Sequence, residues 1–128
     1  MPERLRILYV EDHDDTCELV RFFLDQRGFE VLTQQTFAGA LKLAQEQKFD
    51  LYLLDSWLPD GSGVDLCNRI RDFDSHTPIL FYSAAAYHLD KETALASGAQ
   101  DYLTKPAGLT ELCEVISNLI NSRRNGFE

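Results

Sequence analysis

Leu51-Tyr-Leu-Leu-Asp55-Ser-Trp-Leu-Pro-Asp-Gly61 opens on an apolar run too short for a helix, turns to a carboxylate, and passes into turn-forming residues. Consecutive apolar side chains without alternation suit a strand covered on both faces, which is the condition of a parallel sheet. Similar runs occur at Leu5-Arg-Ile-Leu-Tyr-Val10, Phe29 to Thr33, Ile79-Leu-Phe-Tyr82 and Asp101-Tyr-Leu103. Helical patterns lie between them. Phe37, Ala40, Leu41 and Ala44 after Thr36, and Leu112, Cys113, Ile116, Leu119 and Ile120 after Leu109, each form an apolar stripe at helical spacing.

Asp15 with Glu18 resembles a capping box that opens a helix carrying Val20, Phe23 and Leu24, with Gly28 as its stop. Ser62 opens another, carrying Val64, Cys67 and Ile70, and Gly98 closes a weaker one with Ala94 and Leu95. Strict alternation of strand and helix predicts an α/β fold: a doubly wound, five-stranded parallel sheet with helices on both faces. Ligand chemistry in such folds sits beyond the carboxyl ends of the strands.

The chain's 128 residues are the size of one ordinary domain, and at 45% hydrophobic and 26% charged they can build a core. The expectation is a single domain over residues 1–128, its core about 5–122, with no output domain. A formal net charge of −9 argues against direct binding to a phosphate backbone or an anionic membrane surface. The longest stretch free of charged residues, between Asp74 and Asp90, is broken by Pro78, so no transmembrane helix is expected. Met1-Pro-Glu-Arg-Leu-Arg lacks a signal-peptide core, and Cys17, Cys67 and Cys113 are scattered and odd in number. Both features predict a cytoplasmic protein with free thiols.

The strand ends gather the chemistry. Glu11-Asp12-His13-Asp14-Asp15 follows the first strand, Asp55 the third, Ser83-Ala84 the fourth, and Thr104-Lys105-Pro106 the fifth. Crowded carboxylates repel one another unless a cation shares their charge, and Mg²⁺ takes hard oxygen ligands of this kind while keeping positions open for a phosphoryl oxygen. Glu11, Asp12 and Asp55 therefore read as a Mg²⁺ site, and Asp14 and Asp15 as charges at a helix N-terminus. Three carboxylates against the Lys105 ammonium leave the site at −2. Asp55 can accept a phosphoryl group as an acyl phosphate, with Lys105 supplying a cation and Ser83 a hydroxyl. His13, His76 and His88 have no metal-ligand spacing, and His13 reads as a solvated loop residue. Arg123 and Arg124 suit the end of the last helix, with Asn125-Gly126 as its stop.

Val10-Glu-Asp12, Leu54-Asp55 with Leu58-Pro-Asp-Gly-Ser-Gly63, Tyr82-Ser83-Ala84, Gly98-Ala99 before Asp101-Tyr102, and Lys105-Pro106, in that order, closely resemble the receiver domain of bacterial two-component response regulators. The resemblance runs from about Leu5 to Ile120 and implies a flavodoxin-like (βα)5 fold with strand order 2-1-3-4-5. It implies that Asp55 is the phosphoacceptor, and that Glu11, Asp12, Asp55 and the backbone carbonyl of Trp57 hold Mg²⁺, with Mn²⁺ as a substitute. It further implies that Lys105 and Ser83 assist transfer, and that Ser83 and Tyr102 form the switch. The phosphoryl donor would be a histidine kinase or histidine phosphotransfer protein. Self-catalysed transfer and slow autodephosphorylation are implied with it.

Phosphorylation adds about one negative charge at Asp55. Ser83 would turn toward it, and Tyr102 would swing into the vacated space. The readout would fall on the face formed by the fourth helix, fifth strand and fifth helix, altering binding to a downstream protein or pairing two copies. Three features depart from the common pattern. Glu11 stands for the more frequent Asp, Ala107 for a frequent Phe, and Trp57 and Ala84 lie at the site rim, where the indole either shields the acyl phosphate or meets a partner. Two other Asp- or phosphate-based classes fit poorly: a haloacid-dehalogenase-type phosphatase needs a second Asp where Trp57 stands, and a flavin binder needs a phosphate loop where four carboxylates stand. A receiver-like module independent of phosphorylation would not need the intact acidic set.

Overall fold

The computed structural model describes residues 4–85, 88–105 and 108–124. One parallel sheet is built from β1 (Arg6–Val10), β2 (Glu30–Gln34), β3 (Leu51–Leu54), β4 (Ile79–Ser83) and β5 (Asp101–Thr104), in the order 2-1-3-4-5. The helices are α1 (Asp14–Gln26), α2 (Phe37–Glu46), α3 (Gly63–Arg71), α4 (His88–Ala96) and α5 (Leu109–Arg124). The expected α/β, flavodoxin-like architecture is thus the observed one.

The sheet divides the core into two layers. Leu8, Val10, Tyr52, Leu54, Ile79, Phe81 and Tyr102 pack with Ala40, Ala44, Leu66, Cys67, Ile70 and Ala94 on one side. Ile7, Tyr9, Leu51, Leu53, Leu80 and Tyr82 pack with Cys17, Val20, Leu24, Leu112, Ile116 and Ile120 on the other. Adjacent residues of a strand face opposite layers, so the unbroken apolar runs follow from burial of both faces.

Local signals explain the helix ends. Thr36 and Ser62 cap α2 and α3, their hydroxyls accepting the N–H of Gly39 and of Asp65. Gly28 at φ +96° and Gly98 at φ +117° take the left-handed conformation that ends α1 and α4. Two details differ from expectation. His13, not Asp15, caps α1, its Nδ1 accepting the Thr16 N–H at 3.3 Å. Trp57–Leu58 and Gly61–Ser62 also pair as a short antiparallel hairpin. Pro106, Ala107, Asn125, Gly126 and the first three residues lie outside the described residues, as do the side chains of His88 and Arg124.

Candidate functional site

Glu11, Asp55 and Lys105 each stand one position past a strand, yet their backbone remains tied to the neighbouring strand. The Glu11 N–H donates to the Gln34 carbonyl at 3.0 Å, Asp55 to Val10 at 3.1 Å, and Lys105 to Ser83 at 2.8 Å. The ladder therefore extends one residue beyond the regular sheet and delivers these side chains to one edge from fixed backbone positions.

Carboxylate oxygens of Glu11, Asp12 and Asp55 lie within 4.8 Å of one another. Such a set of hard oxygen donors fits a divalent cation like Mg²⁺. Glu11 is buried, at 1% exposure, and Asp12 is exposed. The Lys105 ammonium bonds Glu11 Oε1, stands 4.0 Å from Asp55 Oδ1 and lies over the Tyr82 ring, 5.4 Å from its centroid. Burial, then the neighbouring Glu11 charge, pushes the Asp55 carboxyl up to about 6, with Lys105 and the Ser56 N–H pulling the other way. Asp55 Oδ1 accepts that N–H at 2.8 Å.

Glu11 has two further donors. The Tyr9 hydroxyl donates to Oε1 at 3.1 Å, and the His13 N–H to Oε2 at 3.2 Å. Burial pushes the Tyr9 phenol well above its ordinary range, with the Glu11 charge adding to the shift, so it remains a donor. Sequence reasoning passed over Tyr9 as a core strand residue. Its signal was the strand period of two, which places residues 9 and 11 on one face.

Ser83 is buried, and its hydroxyl accepts the Ala85 N–H at 3.1 Å. Tyr102 is turned inward, 6% exposed, with its ring stacked on Phe81 at 5.7 Å. Its hydroxyl donates to the Ala85 carbonyl and stands 3.4 Å from Ser56 Oγ. Ala85 thus joins Ser83 to Tyr102 through its own peptide groups. Ala84 is exposed at the rim. The Trp57 indole is 69% exposed, so shielding of Asp55 would require that side chain to turn inward.

The hairpin after Asp55 is fixed by close packing. The Gly63 N–H donates to Ser56 at 2.7 Å, and the Asp60 carboxylate accepts the N–H groups of Phe37 at 2.6 Å and Ala38 at 3.1 Å. These bonds hold the Asp60 carboxyl below the usual carboxylate range.

Residues 7–117 match the response regulator receiver domain family. The chain belongs to that family. Among its relatives, the transcriptional regulatory protein KdpE of Mycobacterium tuberculosis is 39% identical over 105 residues, 82% of this chain and 46% of KdpE. The chain spans about half the length of the curated relatives it matches. A CheY-like receiver domain protein from Methanospirillum hungatei superimposes with a TM-score of 0.93 over 98% of this chain and 100% of that one; at 24% identity it shows the fold alone. The receiver domain of the sensor histidine kinase PA1611 from Pseudomonas aeruginosa is 30% identical, with a TM-score of 0.87 over 94% of this chain and 100% of its own. That structure holds a magnesium ion coordinated in its active site cleft. The protein is therefore a receiver domain of two-component response regulators.

Proposed function

We propose that this receiver accepts a phosphoryl group on Asp55 from a histidine kinase or histidine phosphotransfer protein, in a Mg²⁺-dependent reaction. The observation that carries the reading is the set of Glu11, Asp12 and Asp55 oxygens within 4.8 Å, with the Lys105 ammonium 4.0 Å from Asp55. Glu11, Asp12, Asp55 and the Trp57 carbonyl would hold the metal, for which Mn²⁺ substitutes. The bound cation would supply charge neutralisation for an anionic nucleophile meeting an anionic phosphoryl group.

Asp55 is aimed by its backbone bond to β1 and attacks in its ionised form, which a bound cation would favour against the burial that raises its carboxyl. Lys105 meets a phosphoryl oxygen, and Ser83 releases the Ala85 N–H to donate to another. Because the Ala85 carbonyl also receives the Tyr102 hydroxyl, movement of Ser83 is felt at the ring. The altered face of α4, β5 and α5 then changes affinity for a downstream protein or for a second copy. The net charge of −9 makes that partner a protein surface rather than nucleic acid. Residues 1–128 act as one receiver domain, and free thiols, those of Cys17 and Cys67 buried, suit the reducing cytoplasm.

The test is incubation with acetyl phosphate or phosphoramidate and Mg²⁺, followed by intact mass and light scattering. One phosphoryl adduct, lost in Asp55→Asn and in EDTA, is expected. No adduct under conditions that label an ordinary receiver would favour a phosphorylation-independent interaction module.

A further inference from the structure

We propose that Tyr9 is a positioning residue for phosphoryl transfer: its hydroxyl holds Glu11 Oε1 so that Lys105 can leave that oxygen for the phosphoryl group on Asp55. The inference rests on the phosphoacceptor reading above and adds a residue to it. Glu11 is 1% exposed and Tyr9 is fully buried, so water does not readily replace a lost donor. Two donors meet on Oε1, the Lys105 ammonium and, at 3.1 Å, the Tyr9 hydroxyl. Lys105 stands farther from Asp55, at 4.0 Å. It is thus engaged with the wrong carboxylate for transfer and must give up or share Oε1.

A buried carboxylate oxygen stripped of its last donor is strongly destabilised. With Tyr9 present, Oε1 keeps a donor when the ammonium departs, and Glu11 stays where the His13 N–H and Tyr9 fix it. Without the hydroxyl, the same oxygen would hold Lys105 back. In the step served, an Asp55 carboxylate oxygen forms a bond to phosphorus. The bond from phosphorus to the donor atom breaks, and that atom leaves with the electron pair: the imidazole nitrogen of a phosphohistidine or, with acetyl phosphate, the oxygen of acetate.

The experiment compares wild type, Asp55→Asn, Tyr9→Phe and Tyr9→Leu for the rate of adduct formation from acetyl phosphate at saturating Mg²⁺, with folding checked by circular dichroism. Both Tyr9 variants lack the hydroxyl, and either one that folds suffices. Expected is a loss of about three- to tenfold in rate. The Mg²⁺ concentration that half-saturates Trp57 fluorescence should move less than about twofold, since the carboxylate oxygens remain. A second readout needs no phosphoryl donor: in EDTA, Tyr9→Phe with Lys105→Met should melt about 3 °C or more below the sum of the single effects, because together they orphan Oε1. A folded Tyr9 variant within twofold of wild type in rate, or additive melting, overturns the role. A wild type that takes no adduct overturns the phosphoacceptor reading instead, and the role of Tyr9 in transfer with it.

Discussion

A Cβ placed on Gly63 would collide with the carbonyl oxygen of Asp55 and come within 2.9 Å of the Phe81 ring. The first residue of α3 therefore has to be glycine for the peptide of Asp55 to lie where it does. Gly63→Ala should force the Asp55 backbone aside. The expected loss is about 2 kcal/mol, or roughly 8 °C in melting temperature, together with slower phosphorylation. Thermal melts and adduct formation check both, and an alanine variant with wild-type values for each would mean that the loop relaxes freely.

The raised Asp55 carboxyl makes a pH prediction with a definite sign. Its folded-state value of about 6 lies above its ordinary 3.8, so the protonated form favours the folded chain. That contribution is complete below about 4 and disappears as pH rises through about 6. In EDTA, Asp55→Asn should therefore gain on wild type as pH rises from 4 to 7, reaching on the order of 1–2 kcal/mol, about 4–8 °C. Mg²⁺ should shrink the difference. Melts of the two proteins across that range measure it, and a gap that narrows with rising pH would contradict it.

Asp74 is expected to matter for stability alone. Its carboxylate accepts the N–H groups of His76 at 3.1 Å and Thr77 at 3.0 Å, the Thr77 hydroxyl at 2.7 Å and the Tyr52 hydroxyl at 3.1 Å. Together these bonds hold its carboxyl below the usual range, against a burial effect that raises it. Asp74→Ala leaves the buried Tyr52 hydroxyl without this acceptor and should cost about 2 kcal/mol. The rate of adduct formation at a temperature where the variant is folded should stay within about twofold of wild type.

The free thiols should separate by accessibility. Cys17 and Cys67 are buried, and burial pushes both thiols up; Cys113 is half-buried on α5. A chromogenic disulfide reagent should modify one thiol in the folded protein roughly tenfold or more faster than the other two. Cys113→Ser should abolish that fast phase, whereas its survival would place the accessible thiol elsewhere.

What could be read from the chain was whatever depends on neighbours in sequence. Leu51–Leu54 announced a covered strand, and Thr36, Ser62, Gly28 and Gly98 marked helix ends because capping is local. β2 runs Glu30–Gln34 rather than from Phe29, which is buried but lies outside the ladder. His13 took the cap of α1 from Asp15 because the helix starts two residues earlier than the acidic pattern implied. The juxtaposition of Glu11, Asp12, Asp55 and Lys105 followed from the strand-end rule. That Lys105 engages Glu11 first depends on side-chain reach across strands, which spacing does not encode; the strand period puts Tyr9 on the face of Glu11, but that it reaches the same oxygen depends on side-chain reach as well.

Asp60 also bears on the order in which the molecule can be completed. The first two amides of α2, Phe37 and Ala38, find their acceptor in a carboxylate 23 and 22 residues later in the chain. During synthesis α2 leaves the ribosome with its start half finished. It acquires those bonds only once the segment following Asp55 has been made. The loop that follows Asp55, the proposed phosphoacceptor, is in this sense a late-arriving part of helix α2, and a nick or insertion between them would be felt at both.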